Sequence, residues 1–317
     1  MICRMHVLAA GALATAALAL AGCASAAHPA AASSGDKASA GLIAGVTVRP
    51  DPKLHALLPG SVTSAGVIRV ATNIPYPPWE MYTTAGGSQP TGVDYDLSRA
   101  LAARLGVRAS FDQTPFDSIV PAIMAGKEDA VMAGMWDTRQ REGSLRFVDY
   151  ATDGYGLLVR TGNPQHISSP ASLSGKTVAI QSGTTQVSVL NTLNSQLRAA
   201  GKKPATVLQF SQDSDALLAL QSGKADAQFD GLSVAAYSAR TFGGGHAFQL
   251  VDNASLARAF GTGIVGIGVP KNDPRLANAL RQALQSLMSS GTYAKILDRY
   301  GLGRLALASA EVDAGGR

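Results

Sequence analysis

Apolar residues follow two rhythms along this chain. Short unbroken runs bounded by Gly, Pro or Asn predict buried strands at 67–71, 129–134, 155–159, 176–181 and 264–269. Longer stretches with one apolar helical face predict helices at 97–105, 274–289 and 293–300. Asp96 suits the N-cap of the first helix and Gly106 its C′ position, while Gly291 stops the second. Residues 147–160 read as a loop running into the strand at 155–159. A partial internal repeat relates Pro121-Ala-Ile-Met-Ala-Gly126-Lys127-Glu128-Asp129-Ala130 to Leu218-Ala-Leu-Gln-Ser-Gly223-Lys224-Ala225-Asp226-Ala227. Each copy is an apolar helix, a Gly stop, a Lys near the helix's negative end, then a buried strand. Two copies of one helix-to-strand unit predict two lobes of similar α/β build.

The polar stretches at the strand ends hold the candidate chemistry. After the apolar run ending at Met135, the chain turns polar through Trp136-Asp137-Thr138-Arg139-Gln140-Arg141. Thr138 fits a helix N-cap, which puts Arg141 about one turn in. Ligands of open α/β sheets bind just past the carboxyl ends of the strands. An Arg there offers a planar fork of donors to a carboxylate; the alternative is a solvated helix residue like Arg139 or Arg146. Gln181-Ser182-Gly183-Thr184-Thr185-Gln186 follows another strand. Its Gly admits close backbone approach, and the N–H groups of the helix start favour an anion; the alternative is a plain capped turn. Asp94 and Asp96 read as a helix start, since no further oxygen ligands follow at calcium-loop spacing. Gly261-Thr262-Gly263-Ile264-Val265-Gly266 matches a dinucleotide fingerprint but opens a strand and not a helix, so that reading is rejected.

Composition narrows the class. The chain has 317 residues, 46% hydrophobic and 15% charged, with a formal charge of +5. That suits two globular domains once the ends are removed. The basic residues are scattered, so no nucleic-acid stripe is expected. Both cysteines, Cys3 and Cys23, lie near the start, which leaves the body without a disulfide or thiolate metal site. Arg4 followed by an uncharged Ala/Leu-rich run reads as a secretory leader over 1–22. Its end, Leu20-Ala21-Gly22-Cys23, resembles the bacterial lipobox, which makes Cys23 the lipidated first residue of the mature protein. An uncleaved membrane helix is the rival reading. Residues 24 to about 50 have a tether's composition, and 51–64 fits a short helix leading into the fold. The tail from 306 is small and polar, and is expected to be disordered.

Several of these landmarks resemble one family in the same order: Tyr76-Pro-Pro-Trp-Glu80, Gly92-Val-Asp-Tyr-Asp-Leu97, Phe116-Asp-Ser-Ile-Val-Pro-Ala-Ile123, Gly134-Met-Trp-Asp-Thr138 with Arg141, Gln181-Ser-Gly-Thr-Thr185, and Gly291-Thr-Tyr-Ala-Lys-Ile296. Together they look like the family 3 solute-binding proteins, extracytoplasmic receptors of ABC transporters for polar amino acids. The resemblance covers about 67–303. It implies an α/β, two-lobed periplasmic-binding-protein-like fold of type II, with the ligand cleft between lobes joined by two hinge strands. The first lobe would hold 66–153 and 263–304, the second 154–262, with 23–65 a lipidated tether and leading segment and 305–317 a disordered tail.

The same resemblance implies roles. Arg141 would grip the ligand carboxylate, aided by the backbone of Thr185 and a hydroxyl of Thr184 or Thr185. Tyr76 and Phe116 would wall the ligand side chain, Gly134 would offer its carbonyl to the ammonium, and Gln181 and Gln186 would line the second lobe. Two departures stand out. Trp136 replaces the family's Ser or Thr, and Gly231 stands where the family's ammonium-binding Asp aligns. Either Asp230 substitutes, or the ligand is not a standard α-amino acid. Asn73 replaces an acidic residue of the first lobe. The expected partners are a small amino acid, permease subunits and the membrane through the lipid anchor. The receptor would be a monomer on the outer face of the cell membrane, without a cofactor. The catalytic screen is thin: of five His, none has H-x-x-x-H spacing, and no G-x-S-x-G elbow occurs. The rival is a periplasmic dehydratase on the same fold, resembling cyclohexadienyl dehydratase, with Asp230 or Glu80 as acid.

Overall fold

A computed structural model describes residues 41–316, apart from Ala85 and Asp252. The expected leader over 1–22, the lipobox cysteine Cys23 and the tether up to 40 lie outside the described residues. The described chain opens with a hairpin of β1 (Gly41–Ile43) and β2 (Val46–Val48). Short helices α1 (Pro52–His55) and α2 (Gly60–Ala65) follow. Then come β3 (Val67–Thr72), the small pair β4 (Met81–Tyr82) and β5 (Pro90–Thr91), α3 (Val93–Arg104), β6 (Arg108–Gln113) and α4 (Phe116–Met124). β7 (Ala130–Val131), β8 (Trp136–Asp137) and α5 (Arg139–Glu142) lead into the long β9 (Leu145–Arg160). Beyond it lie β10 (Thr177–Gln181), α6 (Thr185–Ala199), β11 (Thr206–Phe210), α7 (Asp213–Gln221), β12 (Ala227–Gly231), α8 (Leu232–Thr241), β13 (Phe248–Leu250) and α9 (Asn253–Phe260). β14 (Thr262–Pro270), α10 (Pro274–Ser289), α11 (Thr292–Arg299) and β15 (Ala306–Val312) close the chain.

The protein is two-lobed, and β9 and β14 join the lobes. The main strand order is β11-β10-β12-β9-β14-β7-β3-β6. β14 pairs antiparallel with the first half of β9, from Pro270 opposite Leu145 to Thr262 opposite Gly154. β12 pairs with the second half, from Gly231 opposite Tyr155 to Ala227 opposite Val159. One strand therefore belongs to both halves of the sheet. Each half has its own core. One gathers Trp79, Leu97, Leu101, Tyr150, Leu284 and Ile296; the other gathers Leu157, Ile180, Leu190, Phe229 and Leu256.

The internal repeat is visible as matching corners. α4 ends before Gly126 at φ 70° and β7; α7 ends before Gly223 at φ 79° and β12. Left-handed φ suits Gly because it lacks a Cβ. At equivalent places Asp129 accepts the Arg69 N–H at 2.8 Å, and Asp226 accepts the Thr177 N–H at 2.8 Å. Each Asp ties the end of its corner to the neighbouring parallel strand.

Four expectations are corrected. The helix expected at 97–105 begins at Val93 instead, because Gly92 at φ 123° turns the chain against the Trp79 carbonyl. Asp94 and Asp96 thus lie in its first turn, favoured by the helix dipole; Asp96 is no cap, and accepts from the Tyr300 hydroxyl at 2.7 Å. The segment before β9 is no loop, since its pairing with β14 starts at Leu145. The tether reading fails from residue 41. Ala44 and Gly45 both take positive φ in a hairpin turn, and Ile43 and Val48 are buried in the first core. The tail expected to be disordered forms β15 against β9. Backbone ladder bonds and carboxylate acceptors hold it, which side-chain polarity does not reveal.

Candidate functional site

The cleft is built where strand ends from both lobes meet. Thr138 caps α5 by accepting the Arg141 N–H at 3.3 Å. The guanidinium of Arg141 then folds back. Its Nη1 donates to the Trp136 carbonyl at 2.8 Å, and its Nη2 reaches the Gly183 carbonyl of the other lobe at 3.0 Å. The ring of Phe116 faces it, 5.4 Å from the guanidinium carbon. Among the described residues no carboxylate forms an ion pair with Arg141. Burial without a counter-ion lowers its pKa from 12.5 to about 10.

The rest of this wall comes from local geometry. Tyr76 and Trp79 sit on the Pro-stiffened loop after β3. Gly134 takes φ 55° and gives its N–H to Asp94 at 2.7 Å, and a Cβ there would meet the Tyr76 ring at 2.9 Å. Trp136 lies directly over Gly263, where any Cβ would overlap its ring, and its ring centroid is 4.8 Å from that of Tyr155 with the planes tilted by 46°. From the second lobe come Gln181 and the start of α6, whose first N–H groups have no acceptor within the helix. Thr184 occupies the N-cap position, but its hydroxyl turns back to the Gln181 carbonyl at 2.7 Å.

One pocket is lined by Tyr76, Phe116, Gly134, Trp136 and Arg141 on one side and by Gln181, Thr184, Thr185 and Gln186 on the other. All nine were singled out from the sequence. Asn73 and Asp230 do not line it. Asn73 braces the lobes from behind, giving its Nδ2 to the Thr114 carbonyl at 2.9 Å and accepting Gln181 Nε2 at 2.7 Å. Asp230 lies behind Tyr76, whose hydroxyl donates to Oδ1 at 2.8 Å. The space left between the lining side chains is about 10 Å³. That admits one water, so anything larger needs the lobes to part.

Sequence reasoning missed three partners. Trp79 Nε1 donates across the cleft to Ser233 Oγ at 2.9 Å, and Ser233 Oγ donates on to Asp153 Oδ2 at 2.7 Å. Asp213 faces Asp230, and Gln228 Nε2 donates to Asp213 Oδ1 at 2.7 Å. Burial pushes all three carboxyls up: Asp213 well above the usual carboxylate range, Asp230 more mildly, and Asp153 to about 7. Hydrogen bonds from Asp213 and Tyr76 oppose the rise at Asp230.

Two lobes, two connecting strands and a polar cleft between them define a periplasmic-binding-protein-like fold. The model of the bacterial extracellular solute-binding proteins, family 3, matches residues 68–303. The arginine-binding protein ArgT of Corynebacterium glutamicum is 30% identical over 254 residues, covering 80% of this chain and 80% of its own. An ancestral arginine-binding protein bound to arginine is 31% identical at a TM-score of 0.64, with 74% of this chain and 98% of that one covered. An ancestral amino-acid-binding protein, a precursor of cyclohexadienyl dehydratase, is 31% identical at a TM-score of 0.66, with 76% and 97% covered. This chain belongs to the bacterial extracellular solute-binding proteins, family 3.

Proposed function

We propose that the protein is an amino-acid receptor of an ABC importer, anchored at the outer face of the cell membrane through Cys23 and working as a monomer. The observation that carries this reading is Arg141: a half-buried guanidinium in an interlobe pocket, without an ionic partner among the described residues. A carboxylate between Arg141 and the N-terminal N–H groups of α6 would supply that partner, by charge-assisted bonds and the helix dipole. Closing the lobes over the ligand then presents one shape to the permease. Arginine-binding relatives make a polar or basic amino acid the first candidate. Among the described residues no helix is long and apolar enough to cross a membrane.

The test is calorimetric titration of the body from Gly41 against the twenty common amino acids, after unfolding and refolding to strip carried-over ligand. A micromolar response to one of them, about −8 kcal/mol, supports the receptor. Silence across the panel overturns it. The second reading, a dehydratase, is favoured by the raised pKa of buried carboxyls beside the cleft and by the likeness to a dehydratase precursor. Turnover of a prephenate-like compound would decide for it.

A further inference from the structure

The helix that carries the pocket arginine has little of its own to hold it. α5 is one turn of four residues, Arg139–Glu142, and none of its side chains is buried. A helix this short does not persist on its own hydrogen bonds, so ties to other elements set its place. Thr138 caps it at one end, and Lys271 Nζ donates to the Glu142 carbonyl at 2.7 Å. Further ties come from residues 313–316, which lie beyond the stretch 68–303 matched by the family's model.

These four residues run from the end of β15 to that turn. Asp313 is fixed first. Its Oδ1 accepts the Phe147 N–H at 2.8 Å, its own N–H goes to the Phe147 carbonyl at 3.1 Å, and Arg146 Nη1 donates to its Oδ2 at 3.2 Å. Ala314 gives its N–H to Asp149 Oδ2 at 3.0 Å. Gly315 gives its N–H to Asp137 Oδ2 at 2.8 Å, and Arg139 closes the contact with Nε and Nη2 on the Gly316 carbonyl at 3.1 and 2.9 Å. The residue before the cap and the first residue of α5 are both held in this way.

The approach is close. A Cβ on Gly315 would lie 2.5 Å from the Asp137 carbonyl oxygen, and one on Gly316 would collide with the Glu142 carboxyl. Only Gly lets the backbone come so near. Asp137 depends on the contact. It is 3% exposed, its Oδ1 has no hydrogen-bond partner among the described residues, and its Oδ2 accepts the Gly315 N–H. Burial first, and the Glu142 charge after it, push Asp137 up to about 6 against that N–H. Stripped of its donor, the carboxyl would turn toward water and take the start of the turn with it. The Arg141 fork is aimed from the same place, since its Nη1 rests on the carbonyl of Trp136, the residue before Asp137.

We propose that Gly315 and Gly316, through Asp137 and Arg139, are positioning residues for Arg141: they clasp its turn from outside the pocket and so set the affinity for the ligand carboxylate. The assignment rests on the amino-acid reading above. None of the four lines the Arg141 pocket.

The test compares the full chain with one ending at Ala314 and with Gly315→Ala, each with and without Arg141→Ala. The shorter chain keeps β15 and the bonds of Asp313 and Ala314. The probe is the common amino acid that binds most tightly, L-arginine being the first candidate, titrated by calorimetry. Ending the chain at Ala314 should weaken binding by roughly three- to thirtyfold, the range for a residue that touches no ligand but acts through one that does. In the Arg141→Ala background the same truncation should change affinity by less than about twofold, because changes that act through one contact do not add. Gly315→Ala should repeat both results. In the ligand-free protein the Arg141, Glu142 and Ser144 amides, which bond within this turn, should exchange faster in both variants. Unchanged affinity, or an equal loss with and without Arg141, overturns the assignment while the receptor stands. A wild type silent to every amino acid overturns the receptor, while the exchange rates still decide whether the clasp holds the turn.

Discussion

Tyr76 and Asp230 meet across the cleft, with the phenol of one lobe donating to the carboxylate of the other at 2.8 Å. Both groups are buried, and Tyr76 is pushed well above its usual range by burial first and by the Asp230 charge second. The contact exists only while the lobes are together. Trp79 with Ser233, Asn73 with Gln181 and Arg141 with the Gly183 carbonyl add three more such ties. Hinge closure of this kind is the motion for which periplasmic binding proteins are the standard example. Together these ties hold the two lobes against each other.

Arg141→Ala should weaken amino-acid binding by roughly a hundredfold or more, since charged hydrogen bonds contribute about 1.5–3 kcal/mol each and two are lost. The melting temperature should stay within a few degrees, because the removed cation was buried without a carboxylate partner. Titration together with a thermal melt checks both parts. Unchanged affinity would sink the site.

Trp79→Phe removes one interlobe donor and keeps the ring. Ser233 Oγ keeps its bond to Asp153 and loses the donor it accepted from Trp79. We expect affinity to fall by roughly fivefold, about 1 kcal/mol, through faster release. Stopped-flow release rates would show it, and an unchanged off-rate would argue against the tie as a latch.

Deleting 306–317 should destabilise the first lobe. β15 leaves its pairing with β9, Asp149 loses the Ala314 N–H and Asp137 loses the Gly315 N–H. Buried acceptors stripped of donors cost about 1–3 kcal/mol each. At roughly 2–4 °C per kcal/mol for a body of this size, the melting temperature should drop by about 5–10 °C. An unchanged melt would mean that the strand contributes nothing.

The ligand-free protein should lose stability as pH rises from about 4 to 7. Burial raises Asp149 and Asp153 to about 7, and Asp94 and Asp137 to about 6, from 3.8. Raised carboxyls favour the protonated fold. Their contribution is complete below the ordinary carboxylate range and is lost as pH climbs through the folded values. Asp149→Asn should flatten part of the slope in a series of melts. A melting temperature that rises between pH 5 and 7.5 would contradict this account.

On the proposed lipid attachment, Cys23→Ser should release the protein from membranes into the soluble fraction. Fractionation of expressing cells checks it. Retention of the variant in the membrane fraction would favour an uncleaved leader helix instead.

Local signals were legible where neighbours in sequence are neighbours in space. Thr138 and Arg141 are three residues apart on one helix turn, so cap and fork follow from the string alone. The Gly stops of α4 and α7 were equally plain, because positive φ has a chemical signature. β15 was not legible. Its Ala and Ser side chains carry no burial pattern, and what holds it is backbone pairing and the carboxylates of Asp137 and Asp149. The hairpin at 41–48 was missed beside an Ala/Ser/Gly-rich run, although Ile43, Val46 and Val48 mark it.

The sequence by itself determined the two α/β lobes and the arginine at a strand end, since each depends on residue type and short spacing. Only the tertiary structure decided how the buried acids near the cleft are partnered. Asp230 follows Phe229 on a strand end, and in the fold it accepts from the Tyr76 hydroxyl of the other lobe. Asp153 comes from a strand far away in sequence, brought beside Gly231 by the pairing of β9 with β12 and by Ser233 on α8. Strand register and hinge geometry are set by cores on both sides of β9, and no local pattern encodes their meeting point.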